Sequence, residues 1–160
     1  MSDSLIVKDK VIRYTREIYE TVLIDSDGDV KVPFGDYNIY VSVLELAFTS
    51  VETEAYYRKN QLSRTLVRVQ CDVLHRIPAH PDLFKWTAIE GQCVNYGHFY
   101  LEVDGDSDNL FNLFYEVQLP GETLDPGELK DALNAAECSV RDVVHVLQAR
   151  FGGRLSRELS

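Results

Sequence analysis

Apolar residues at Val7, Val11, Tyr14, Ile18 and Val22 recur every three to four positions, which predicts an amphipathic helix over 5–20. The pattern then changes to short apolar runs punctuated by acidic turns. Val22-Leu23-Ile24 and Val30-Lys31-Val32 flank Asp25-Ser26-Asp27-Gly28-Asp29, the signature of a hairpin-like reversal. Gly35-Asp36 makes a second turn, and 37–49 reads as one long strand, rich in β-branched and aromatic residues. The charged stretch 51–60, with its pair Tyr56-Tyr57, breaks the pattern and reads as a connecting loop. Alternation resumes over 62–75, with Val67, Val69, Cys71 and Val73 on one face and Arg68, Gln70 and Asp72 on the other.

Pro78 and Pro81 end that strand, and Leu83, Trp86 and Ile89 carry helical spacing over 82–94. Gly97 opens a strand over 98–103, the turn Asp104-Gly105-Asp106-Ser107-Asp108 follows, and 110–119 returns as a strand. On that return strand Phe111, Leu113, Tyr115, Val117 and Leu119 share a face. Asp125 caps a long final helix and Pro126 takes its first position, where no amide donor is needed. The apolar stripe is Leu129, Leu133, Ala136, Val140, Val143, Val144, Leu147 and Phe151, closed by Gly152-Gly153. The expected fold is α+β over 1–153: a mostly antiparallel sheet of about five to six strands with three amphipathic helices packed on it. The polar tail 154–160 is expected to be disordered.

Charge narrows the partners. The chain has 160 residues and a net charge of −10, from 16 Lys and Arg against 26 Asp and Glu. Between Trp86 and Val140 stand eleven acids and one base, Lys130, while the other fifteen acids and fifteen bases cancel. Such a chain is poorly suited to nucleic acid or an anionic membrane surface, both of which need clustered Lys and Arg. Residues 1–10 hold only Leu5, Ile6 and Val7 between Asp3 and Asp9, unlike a secretory leader, and no run approaches the ~18 apolar residues of a membrane span. Three cysteines, Cys71, Cys93 and Cys138, are odd in number and widely spaced, so a reducing cytoplasm is expected. All three read as small core residues.

No catalytic or metal-binding constellation stands out. Asp25 to Asp29 matches the start of a calcium loop, but Val30 replaces the glycine at position six and Asp36 the bidentate glutamate at position twelve. The turn at Asp104 fails likewise, with Tyr115 at position twelve. Cys71 and His75 would lie on one strand face without converging, and His145 falls among valines and leucines as a packed or boundary residue. His80, between Pro78 and Pro81, is the most exposed-looking histidine. No nucleophile elbow or glycine-rich phosphate loop occurs. The expectation is a protein that is not an enzyme, with no cofactor and no metal site.

Aromatic residues carry more information. Tyr40, Leu44, Leu46 and Phe48, then Tyr100 and Phe114, fall opposite the core register of their strands. Helices bury one face each, and three need not cover two sheet faces, so these residues form a candidate partner surface. Glu102 and Glu116 share that face, which predicts an apolar client with some positive charge. The pair Tyr56-Tyr57 would gate it.

Five segments carry a family resemblance. They are Ile24-Asp25-Ser26-Asp27-Gly28-Asp29-Val30, Ile39-Tyr40-Val41-Ser42-Val43, Gly97-His98-Phe99-Tyr100-Leu101-Glu102, Leu124-Asp125-Pro126-Gly127-Glu128-Leu129 and Gln148-Ala149-Arg150-Phe151-Gly152-Gly153. In order and spacing the chain resembles the bacterial YbjN family, in particular actinobacterial members grouped with type III secretion chaperone-like domains. The resemblance implies a small α+β fold similar to secretion chaperones, which are cytoplasmic, often dimeric, and hold extended segments of client proteins without hydrolysing anything. The chain departs from the family pattern at 51–60 and at Gln118-Leu119-Pro120-Gly121-Glu122. The expected function is therefore a non-catalytic, chaperone-like protein that binds a peptide or partner protein through Tyr40, Leu44, Tyr56, Tyr57, Tyr100, Glu102, Phe114 and Glu116. The alternatives are a regulatory protein acting through a homodimer and, further off, a divalent-dependent enzyme using the acidic turns.

Overall fold

The computed structural model describes residues 3–92, 94 and 96–159. Its elements run α1 (Asp3–Ile18), β1 (Leu23–Ile24), β2 (Val30–Phe34), β3 (Tyr37–Glu45), α2 (Val51–Lys59), β4 (Thr65–Pro78), α3 (Pro81–Ile89), β5 (His98–Asp104), β6 (Ser107–Pro120) and α4 (Pro126–Phe151). The strands form one six-stranded antiparallel sheet in the order β1-β2-β3-β4-β6-β5. The fold is α+β. Among the described residues there are four α-helices, one more than the hydrophobic pattern predicts.

Alternation decides which sheet face meets the helices. Ile39, Val41, Val67, Val69, Cys71, Phe99, Tyr115 and Val117 are all at most 3% exposed and point to one side. Against them lie Val7 and Val11 of α1, Leu83 and Trp86 of α3, and the stripe Leu129, Leu133, Ala136, Val140, Val144 and Leu147 of α4. Ile89, predicted to join the α3 stripe, is exposed, and Thr87 is buried in its place. The α4 start is held by a capping box. The Asp125 carboxylate accepts from the Glu128 amide at 2.9 Å, and the Glu128 carboxylate accepts from the Asp125 amide at 3.2 Å.

Three sequence expectations are corrected. Residues 51–60 are a helix rather than a loop: Ser50 caps it, accepting from the Thr53 amide at 3.1 Å, and Glu54 pairs with Arg58 at 2.6 Å. It buries no residue, so it lacks the apolar periodicity that marks the other helices. Residues 154–159 are docked rather than frayed. Arg154 exchanges both backbone hydrogen bonds with His75 at 2.8 Å, and Leu155 is 2% exposed. Cys138 is exposed rather than in the core; Cys71 is buried, and Cys93 lies outside the described residues.

β4 also contains a bulge that no alternation pattern announces. Register shifts between Asp72 and Leu74, so Val73 and Leu74 are both fully buried and His75 moves to the face opposite Cys71. A second shift precedes Ile77, where Arg76 takes a left-handed φ of 56°. Tyr37 opens β3, which ends at Glu45, short of the predicted Thr49.

Candidate functional site

The sheet face away from α1, α3 and α4 is built in transverse rows set by strand register. One row crosses Pro33, Asn38, Asp72, Phe114 and Tyr100. The next crosses Lys31, Tyr40, Gln70, Glu116 and His98. Ser42, Arg68 and Gln118 follow, then Leu44, Leu66 and Pro120. The face is thus aromatic at one end, polar in the middle and aliphatic at the other end.

At the aromatic end the Tyr100 and Phe114 rings stack with centroids 5.4 Å apart, and His98 tilts against Tyr100 at 5.9 Å. Such a stack contributes about 0.5–1.5 kcal/mol beyond its area. Gln70 donates through Nε2 to the Tyr100 hydroxyl. Lys31 Nζ sits 5.8 Å from the Tyr40 ring centre. Tyr40, Leu44, Tyr100 and Phe114 are all half-buried by their neighbours. Burial raises the Tyr40 and Tyr100 phenols above their ordinary value, and nearby carboxylates, Asp72 for Tyr40 and Glu116 for Tyr100, push the same way.

The polar middle is unevenly satisfied. Glu116 Oε1 accepts from Gln118 Nε2 at 3.2 Å and lies 3.5 Å from His98 Nε2. Glu102 is exposed, paired across the ladder with Asn112. Arg68 differs: its Nε is inaccessible to solvent and has no hydrogen-bond partner among the described residues.

The tail closes one corner of this face. Ser156 donates through Oγ to Asp72 Oδ2 at 2.6 Å, and Asp72 Oδ1 accepts from the Asn38 amide at 2.6 Å. His75 Nε2 lies 3.2 Å from Ser156 Oγ and 3.5 Å from Asp72 Oδ2. Serine, histidine and aspartate are therefore together, but both oxygens address the same ring nitrogen and the serine proton already goes to the aspartate. A hydrolytic relay needs the acid on the other nitrogen. The cluster is a latch that holds the tail.

Other predicted positions fall elsewhere. Tyr56 and Tyr57 lie on α2, Tyr56 exposed and Tyr57 with its ring 4.9 Å from Phe48. α2 leaves the sheet where β4 begins at Thr65. Phe114 pairs with Asp72, ~23 Å further along at ~3.3 Å per residue, so the tyrosine pair does not gate the Tyr100–Phe114 stack. Leu46 and Phe48 lie past the end of β3. Asp25 spends Oδ1 on the amides of Asp27 and Asp29, both at 2.9 Å, which makes its loop a tight turn. Among the described residues no cluster of His, Cys, Asp or Glu is placed to hold a metal ion, and no helix is long and apolar enough to cross a membrane. His80 caps α3, and His145 is exposed, 3.4 Å from Asp36.

Arg68, Asp72, His75 and Ser156 were not among the predicted site residues. Arg68 stands with Gln70 and Asp72 on the polar face of its strand, and nothing in the alternation sets it apart from them. Ser156 carries no signal either, because its role depends on a bulge and a chain reversal. No protein-family model matches the chain, and no curated protein matches it.

Proposed function

We propose that the chain is a cytoplasmic, non-catalytic, chaperone-like protein that holds an extended segment of a partner protein on the helix-free face of its sheet. The observation that carries this reading is the Tyr100–Phe114 stack, left half-buried on a face to which none of the buried helix stripes is turned. Apolar groups left in that position are commonly a place for a partner. The successive rows favour an extended peptide over a compact ligand, since side chains at alternate positions of a strand match the spacing of the rows. The likeness to YbjN-type, secretion chaperone-like proteins points the same way.

The test is binding to an array of overlapping peptides. The wild-type chain should bind a reproducible subset, Phe114→Glu should lose it, and Val146→Glu, on the exposed side of α4, should keep it. Circular dichroism checks that each variant is folded. A Phe114→Glu protein that is folded and binds the same subset contradicts the reading. Regulation through a homodimer is separated by light scattering: peptide capture by a monomer decides against it.

A further inference from the structure

The partner surface contains one group whose needs the chain does not meet. Arg68 lies on β4, an interior strand of the sheet, between Ser42, which is 4% exposed, and Gln118. The side chain is half-buried with its Nε shut off from water, and among the described residues the guanidinium has no hydrogen bond or ion pair; the acid nearest in register, Glu116, is already engaged by Gln118 and His98. An unpaired guanidinium on a binding face presents a planar donor fork suited to a carboxylate. The net charge of −10 would lead one to expect the basic client that Glu102 and Glu116 suggest. Local chemistry at the centre of the face argues the reverse.

We infer that Arg68 is a specificity-determining residue that receives an aspartate or glutamate carboxylate of the bound segment. This rests on the proposed reading of the face and deepens it by stating the partner's chemistry. The register adds a spacing. Gln118, level with Arg68, and Phe114, level with Tyr100, are four residues apart on β6, ~13 Å at ~3.3 Å per residue. An extended partner running along β6, clear of the tail over Asp72, therefore places its acid four residues from an aromatic or large aliphatic side chain that lies on the stack. Both side chains then point to the same face, because four is even.

Three synthetic seven-residue peptides of β-branched residues serve as probes. Each has one Phe and, four residues away, Glu, Gln or Lys. Binding to the full ¹⁵N-labelled chain is followed by NMR, including the Arg68 Nε–H signal. The Glu peptide should bind at least about tenfold more tightly than the Gln peptide and shift the Arg68 Nε–H signal. Arg68→Gln should erase that preference while leaving the weaker binding of the Gln peptide, and Arg68→Lys, which keeps charge but loses the fork, should restore only part of it. Equal binding of Glu and Gln peptides, or a Glu preference that survives Arg68→Gln, overturns the inference and leaves the face a peptide site. Tightest binding by the Lys peptide also overturns it, and assigns selectivity to Glu102 and Glu116. No binding by any of the three overturns the inference and the proposed function together.

Discussion

Single residues in this protein owe their identity to contacts with the neighbouring strand. Gly97 precedes β5, where an added Cβ would meet the Tyr115 ring and hydroxyl at 2.8 Å and crowd the Glu116 carbonyl. Gly97→Ala should therefore lift the start of β5 and destabilise the protein by about 2–3 kcal/mol, read as a lowered denaturant midpoint. Glu122 is a second case. Burial works to raise its carboxyl pKa, but the Arg64 and Thr65 amides, with neighbouring donors, outweigh that and hold it below the ordinary carboxylate value. A carboxyl lowered on folding stabilises the fold above its unfolded pKa and loses that contribution as pH falls through the folded one. Urea midpoints measured downward from pH 5 should therefore fall more steeply for wild type than for Glu122→Gln. Parallel curves would show that the carboxylate contributes nothing there.

At the scale of elements, what was legible in the sequence followed apolar periodicity. α4 was readable from cap to stop because its stripe, its Asp125-Pro126 start and its Gly152-Gly153 end all agree. Asp125→Ala should cost about 1 kcal/mol in thermal or urea unfolding, since it frees the Glu128 amide. α2 was missed because it buries nothing, although Ser50, the early acids Glu52 and Glu54, and the late bases Arg58 and Lys59 are a start and stop signal in their own right. The β4 bulge had no local signature, and it alone puts His75 beside Asp72. The sheet face was readable at Tyr40, Leu44, Tyr100 and Phe114, where alternation is unbroken. It was unreadable at the latch, whose partners are brought together by the bulge and the returning tail. Ser156→Ala should speed hydrogen exchange at the His75 and Arg154 amides while leaving the centre of β4 protected. Unchanged exchange there would mean that Leu155 alone holds the tail.

Over the whole molecule, the acidity looks different once its members are placed. Asp125 and Glu128 cap α4, Glu122 accepts strand amides, Asp104 accepts the Asp106 amide at 3.0 Å, and Glu116 is engaged within its own sheet. Much of the surplus between Trp86 and Val140 is thus occupied with turns, caps and ladder ends. On the helix-free face, what the described residues leave without an internal answer is a half-buried aromatic stack and one guanidinium. A concavity of about 670 Å³ lies on the opposite side against α4, between Tyr96, Ala135 and Val143. The two surfaces are far enough apart in the fold to be told apart in solution. The most direct measurement is chemical-shift mapping of the full chain with a peptide selected from the array. Shifts concentrated on Tyr40, Gln70, Tyr100 and Phe114, with α4 silent, are the predicted result. Shifts concentrated around Tyr96 and the exposed side of α4, with those four residues unmoved, would contradict the account.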